Sequence, residues 1–137
     1  MFCARDGWNI ETCNGKVPEV NVADGPAGVR KYVTAPNGEQ VVDKSISYPG
    51  AAVIANTWNE ELCEEVASAI ADEAIEQNVD VLLAPAVNIK RSPLCGRNFE
   101  YFSEDPILAG RMAAAYVRGV EKKHVCSCVK HFAANNM

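Results

Sequence analysis

The chain has 137 residues, 48% hydrophobic and 23% charged, which places it with folded globular proteins and within the length of one domain. Its formal net charge of -5 argues against nucleic acid or an anionic membrane as partner, since both reward clustered Lys and Arg, and leaves neutral polar ligands as the better match. Six cysteines (Cys3, Cys13, Cys63, Cys95, Cys126, Cys128) come without a charged-then-apolar leader near Met1, so reduced thiols and a cytoplasmic location are expected.

Val17 to Ala23 is an apolar-leaning run, read as a strand, that stops at the breakers Asp24-Gly25-Pro26. A polar connection follows, and Ala51 to Ala55 is a second short apolar run, counted among the strands. Thr57 stands three residues before Glu60 as in a capping box, and Leu62, Val66 and Ile70 recur every four positions, which predicts a helix over 58–77. Val79 to Val87 has almost no polar alternation, the mark of a strand buried on both faces of a parallel sheet. Asp105-Pro106 pairs an acidic cap with Pro at the first helical position. The stripe of Leu108, Met112, Tyr116 and Val120 continues that second helix, and Lys122, Lys123 and His124 suit its carbonyl end. Val125 to Val129 is a closing strand. It holds Cys126 and Cys128 on one face, and with no second pair at zinc spacing these are read as small core residues rather than metal ligands.

Alternating strands and helices define parallel βα units covered on both sheet faces. A closed eight-stranded barrel needs about 250 residues. The fold class expected is therefore α/β, the N-terminal part of a partial TIM-type (β/α)8 barrel. In such barrels the site lies where strands end, which selects Asp24, Asn56, the stretch Asn88 to Glu104, and Lys130-His131. The third of these is long for a βα connection, and such loops tend to be functional. Its aromatic, basic and acidic side chains suit a polyhydroxyl ligand, but they also suit mutual pairing that holds a loop in shape; spacing favours the pairing somewhat, and composition does not separate the two. For Asp24, spacing favours a turn residue whose carboxylate caps local N–H groups over a ligand group. His131 is open between a core residue, an acid/base catalyst and a hydrogen-bond donor. Neither GxGxxG nor GxxxxGK[ST] occurs, which sets a phosphate-binding barrel far below the other readings.

The segments Asp24-Gly25-Pro26-Ala27-Gly28-Val29-Arg30, Asn88-Ile89 with Arg91 and Pro93, Gly96-Arg97-Asn98-Phe99-Glu100 with Ser103-Glu104-Asp105-Pro106, and Lys130-His131-Phe132-Ala133-Ala134-Asn135-Asn136 stand in this order along the chain. Together they resemble the N-terminal barrel domain of glycoside hydrolase family 3, in its β-glucosidase branch. The likeness runs from about residue 7 and implies that 1–137 is an N-terminal portion of that barrel domain, incomplete at both ends. It implies a retaining β-glycosidase acting on a β-glucoside or similar small saccharide, with no metal or organic cofactor and no nucleic-acid or membrane partner. Asp24, Arg97, Lys130 and His131 would bind the sugar next to the scissile bond. Glu100, Glu104 and Asp105 would position the loop and cap the helix. The family's nucleophilic Asp, in an SDW-like motif on a later strand, and its acid/base Glu, usually in a following domain, match nothing in this sequence, so no catalytic residue is assigned. The resemblance also implies that the stretch Met1 to Trp8 follows a first helix not included here, and that a polar residue and Glu commonly stand where Met137 does. The N-acetylglucosamine-cleaving branch carries a Gly-His-rich sequence after Lys-His-Phe; Ala133 to Asn136 replaces it, which favours the glucosidase side. A non-catalytic sugar-binding fragment is the rival reading.

Overall fold

The computed structural model describes residues 7–10, 12 and 15–136; Cys3, Cys13 and Met137 lie outside them. The chain folds as β1 (Asn9–Ile10), β2 (Val20–Asp24), β3 (Tyr32–Thr34), β4 (Gln40–Val42), α1 (Ala51–Ala55), α2 (Glu60–Glu76), β5 (Val81–Leu83), α3 (Pro106–Glu121) and β6 (Cys126–Ser127), with a 3₁₀ turn at Asn98–Glu100. The main sheet runs β1-β2-β5-β6, and β3-β4 is a separate antiparallel pair. β2, β5 and β6 are parallel, with Val22 and Asp24 opposite Val81 and Leu83, and Val81 opposite Cys126. β1 joins the β2 edge antiparallel. The mixed α/β class read from the sequence is what forms.

Helix α3 forms for the reasons visible in its residues. The Asp105 carboxylate accepts from the N–H of Ile107 at 2.8 Å and Pro106 occupies the first turn, where its missing N–H costs nothing. Its stripe of Met112, Tyr116 and Val120 is buried against Cys63, Ala67 and Ile70 of α2 and against Leu82 of β5. The two helices touch closely at Gly119, and the Ser68 hydroxyl donates to the Gly119 carbonyl at 3.0 Å. Surface pairs bridge the helices at Arg111–Glu60 (2.5 Å), Arg118–Glu64 (3.0 Å) and Lys123–Asp72 (2.9 Å). Exposed pairs of this kind contribute about 0–1 kcal/mol each, so the apolar contact holds the layer together.

Four readings need correction. Ala51–Ala55 is helix α1 and not a strand: the Val53 and Ile54 N–H groups both turn back to the Gly50 carbonyl. A five-residue apolar run carries no usable period, and three alanines favour helix. Helix α2 begins at Glu60, with Asn59 as its cap accepting from Leu62 N–H at 3.0 Å. Thr57 does not form the expected capping box; its hydroxyl donates backwards to the Ile54 carbonyl at 2.6 Å. The strand expected to run from Val79 to Val87 is only Val81–Leu83, because Pro85 has no N–H to give the ladder. Pairing resumes at the Ala86–Lys130 bridge.

The fourth correction concerns the cysteines. Cys126 and Cys128 are exposed, not core. α2 and α3 cover one face of the sheet, where Ala23 and Leu82 are fully buried. By strand alternation Cys126 and Cys128 share the opposite face with Val22, Val81 and Leu83, none of which is fully buried. Asp24 and Lys130 stand at the upper end of that face. No helix among the described residues is long and apolar enough to cross a membrane.

Candidate functional site

Asp24 is the last residue of β2, and the chain then doubles back so that Arg30 N–H donates to the Asp24 carbonyl at 2.7 Å. Gly28 permits the reversal: its φ is +125°, and a Cβ there would lie 2.2 Å from the Ile46 carbonyl oxygen. The Tyr116 hydroxyl reaches the Gly25 and Pro26 carbonyls at 3.4 Å each, which ties the turn to α3. Burial raises the pKa of that phenol, so it stays a neutral donor. The Asp24 carboxylate caps no local N–H group. It accepts from the Lys130 ammonium at 2.5 Å, across 106 positions of sequence.

Lys130 is carried by the strand-like extension after β6, where its N–H donates to the Pro85 carbonyl at 3.0 Å and its own carbonyl accepts from Val87 N–H at 2.8 Å. His131 is gripped on both sides by Asn88, whose Oδ1 accepts from the His131 N–H at 2.8 Å and whose Nδ2 donates to the His131 carbonyl at 3.1 Å. The loop of residues 88–104 brings Arg97 to the same place. The 3₁₀ turn puts Arg97 and Glu100 on one side, so that the guanidinium Nε–H donates to Glu100. Glu100 Oε2 also lies 3.4 Å from the Lys130 ammonium, and Arg97 reaches His131 Nε2 at 2.7 Å. The Tyr101 hydroxyl meets His131 Nδ1 at 3.1 Å. All four sequence-predicted binding residues thus converge into one run of contacts, from Asp24 through Lys130, Glu100 and Arg97 to His131.

These contacts assign the imidazole tautomer. Arg97 has only donors, so Nε2 must accept, and Nδ1–H then donates to the Tyr101 oxygen. Burial first, and the Arg97 cation second, lower the His131 pKa below its ordinary 6.5. The Glu100 carboxylate holds Arg97 charged and raises its pKa, while burial raises that of Tyr101. The histidine is therefore neutral near pH 7. Since the unfolded chain takes up a proton at about 6.5 and the folded one only lower, His131 stabilises the fold above 6.5. That stability is lost as pH falls from 6.5 towards the lowered folded value, below which both states are protonated. An NMR titration of the imidazole C–H should give a midpoint below 6.5; one at or above it would rule out the tautomer argument.

Sequence reasoning assigned no role to Asn88 or Tyr101. The three-residue spacing from Arg97 to Glu100 was an available signal for their pairing, whereas the Asn88 and Tyr101 contacts with His131 depend on strand register and leave no local trace. A groove of about 280 Å³ beside the cluster is lined by Asn88, Lys130, His131 and the fully exposed Phe132 ring, among others. A wider groove of about 660 Å³ lies on the helix layer, where Glu60, Glu64, Arg111 and Arg118 already pair with one another.

At its strand ends this α/β chain gathers two carboxylates, two cations, a neutral imidazole and a phenol, a set of donors and acceptors of the kind that polar ligands require. Residues 20–136 match the family model described as glycosyl hydrolase family 3 N terminal domain, and the chain belongs to that family. It is 46% identical over 135 residues to an exo-alpha-(1->6)-L-arabinopyranosidase of Bifidobacterium longum, covering 96% of this chain and 18% of that protein. It is 51% identical over 127 residues to beta-glucosidase A of Butyrivibrio fibrisolvens, covering 89% of this chain and 15% of the relative. Among solved structures it resembles beta-glucosidase 3B from Thermotoga neapolitana in complex with glucose, with 46% identity and a TM-score of 0.83 over 93% of this chain and 18% of that one. The chain therefore spans less than a fifth of the length of these proteins.

Proposed function

We propose that residues 1–137 are the N-terminal portion of a (β/α)8 barrel domain and hold one side of the saccharide site of a retaining β-glycosidase, with Asp24, Arg97, Lys130 and His131 binding the terminal sugar. The single observation that carries this is the convergence of those four side chains, from three separate strand ends, on the open rim of the sheet. Ion pairing alone would explain Arg97 with Glu100, but it does not explain why Asp24 and Arg97 keep 34% and 43% of their side chains exposed while Lys130 and Glu100 beneath them are nearly covered. Asp24 has one oxygen on Lys130 and the other available to accept from two sugar hydroxyls, and the outer edge of Arg97 supplies donors to sugar oxygens. The proposed glycone is a terminal pyranose, β-linked glucose first. Relatives of similar identity named for glucosides and for L-arabinopyranosides support that level of assignment. The four described cysteines are free thiols, which supports a reducing, cytoplasmic setting.

Retention needs a carboxylate nucleophile and a second carboxylic acid about 5 to 5.5 Å away. Asp24 and Glu100 cannot supply this pair, because each is engaged by Lys130 and Glu100 is buried. The 137-residue chain is therefore expected to show no hydrolysis of a chromogenic β-glucoside or α-L-arabinopyranoside above a buffer control, and measurable turnover would overturn the role given to these carboxylates. For binding, millimolar glucose should give no calorimetric heat but should shift the NMR signals of Asp24, Arg97 and Lys130, with the shifts lost in Asp24→Asn. Shifts scattered over the surface instead would count against the site.

A further inference from the structure

We propose that Glu100 is the positioning residue of this saccharide site: one buried carboxylate holds both ligand-facing cations and makes the cluster electrically neutral. The inference rests on the saccharide reading above and concerns a residue that touches no sugar. Glu100 is only 6% exposed and is, with Asn88, one of the two buried polar or charged side chains among the described residues. Its two oxygens serve different partners, Oε1 taking the Arg97 Nε–H and Oε2 lying 3.4 Å from the Lys130 ammonium. A buried carboxylate persists only when such partners satisfy it.

Its position solves two problems of the site. Arg97 and Lys130 repel each other, and the largely covered Lys130 requires counter-charge. If Asp24 alone provided that charge, both of its oxygens would be drawn to the ammonium and none would remain for hydroxyls. With Glu100 below, Lys130 sits between two carboxylates, and the 34% exposed Asp24 keeps an oxygen towards solvent. Arg97 is likewise pinned through Nε, so that its guanidinium plane is fixed and its terminal groups point to His131 and the open rim. Two anions against two cations, with a neutral imidazole, leave no net charge. A neutral cluster suits an uncharged sugar and does not attract anionic ones; without Glu100 the same groups would carry +1 and would favour a uronate or a sugar phosphate.

The test uses the isotope-labelled 137-residue chain and its Glu100→Gln form, with the amide spectrum confirming that both are folded. Two signals are read without any sugar, the exchange of the Arg97 Nε–H and the titration of the His131 ring. His131 faces Arg97, Lys130, Glu100, Asp24 and Tyr101, and Glu100 is one of the two anions that offset the cations. In E100Q the Arg97 Nε–H should exchange at least about tenfold faster, the factor expected when a charge-assisted hydrogen bond is lost. The His131 midpoint should fall further below that of the parent, and glucuronate should displace the Arg97 and Lys130 signals more than glucose does. In Glu100→Asp, which keeps the charge but shortens the reach, the His131 midpoint should return towards the parent while Arg97 stays unprotected. Unchanged Arg97 exchange and an unchanged His131 midpoint in folded E100Q would overturn the proposal. If E100Q does not fold, the charge-balanced double variant Glu100→Gln with Lys130→Gln replaces it; Arg97 should still lose protection, and retained protection would overturn the proposal. Glucose-induced shifts in the parent chain test the saccharide reading separately, so either idea can fail without the other.

Discussion

Replacing Gly119 by alanine should destabilise the chain by about 2 kcal/mol, although alanine is the better helix former by about 1 kcal/mol. The two effects oppose each other, and geometry decides which wins. A Cβ at Gly119 would stand 2.3 Å from the Glu64 carbonyl oxygen and 2.8 Å from the Ala67 Cβ, both on α2. A backbone carbonyl inside a helix cannot swing aside as a side chain can, so α2 and α3 must separate along their whole contact. Overpacking of a tight core costs about 1–3 kcal/mol, and a rigid neighbour puts this site at or above the top of that range, which outweighs the propensity gain. The same substitution nine residues earlier should have the opposite sign. Gly110 lies on the exposed side of α3, where an added Cβ would meet nothing within 4 Å, so Gly110→Ala should stabilise by about 1 kcal/mol. Urea midpoints at an unchanged slope measure both. A Gly119→Ala variant as stable as Gly110→Ala would mean that the helix pair relaxes freely, contrary to the packing described.

Helix α3 was legible because its determinants are local: a proline and a four-residue stripe lie within its own sixteen residues, and its cap, Asp105, directly precedes them. Ala51–Ala55 was not, since five apolar residues fit a buried strand and a helical turn equally well. The β3–β4 hairpin fell inside what read as a polar connection, yet a signal was present. Ala35-Pro36-Asn37-Gly38-Glu39 separates Tyr32-Val33-Thr34 from Gln40-Val41-Val42; its Gly38 N–H donates back to the Ala35 carbonyl, and Gly38 takes the positive φ of +87° that such a turn requires. The error over Cys126 and Cys128 has a different origin. Alternation correctly placed both on one face, but which face the helices cover depends on how the βα units stack. The site divides in the same way. Arg97 with Glu100 is a spacing of three and can be read from the chain, whereas Asp24 with Lys130 exists only through the register of β2, β5 and β6. That register also carries the Asn88 clamp on His131, which no motif displayed as a contact.

Replacing Lys130 by methionine should be the most damaging change within the site, and its partner substitution should undo most of the damage. The Lys130 side chain is 12% exposed and faces Asp24 and Glu100. Methionine fills nearly the same volume, so the effect is electrostatic: two carboxylates remain close together without the cation between them. Breaking a buried ion pair by removing one partner costs about 3–5 kcal/mol, because the remaining charge is left uncompensated. Here the lower end, about 3 kcal/mol, applies, since Arg97 still covers one Glu100 oxygen and Asp24 is partly solvated. Adding Glu100→Gln removes the carboxylate that Lys130 had neutralised, so K130M with E100Q should recover about 2 kcal/mol of the loss. The cycle separates charge balance from packing, for a packing defect at residue 130 would persist in the double variant. Equal unfolding midpoints for the single and double variants would show that Lys130 and Glu100 are not energetically coupled. Recovery of stability without recovery of the glucose-induced shifts is the expected outcome, because the Lys130 ammonium donates to Asp24 and, in the proposed site, to the sugar, and no neutral replacement restores that donor.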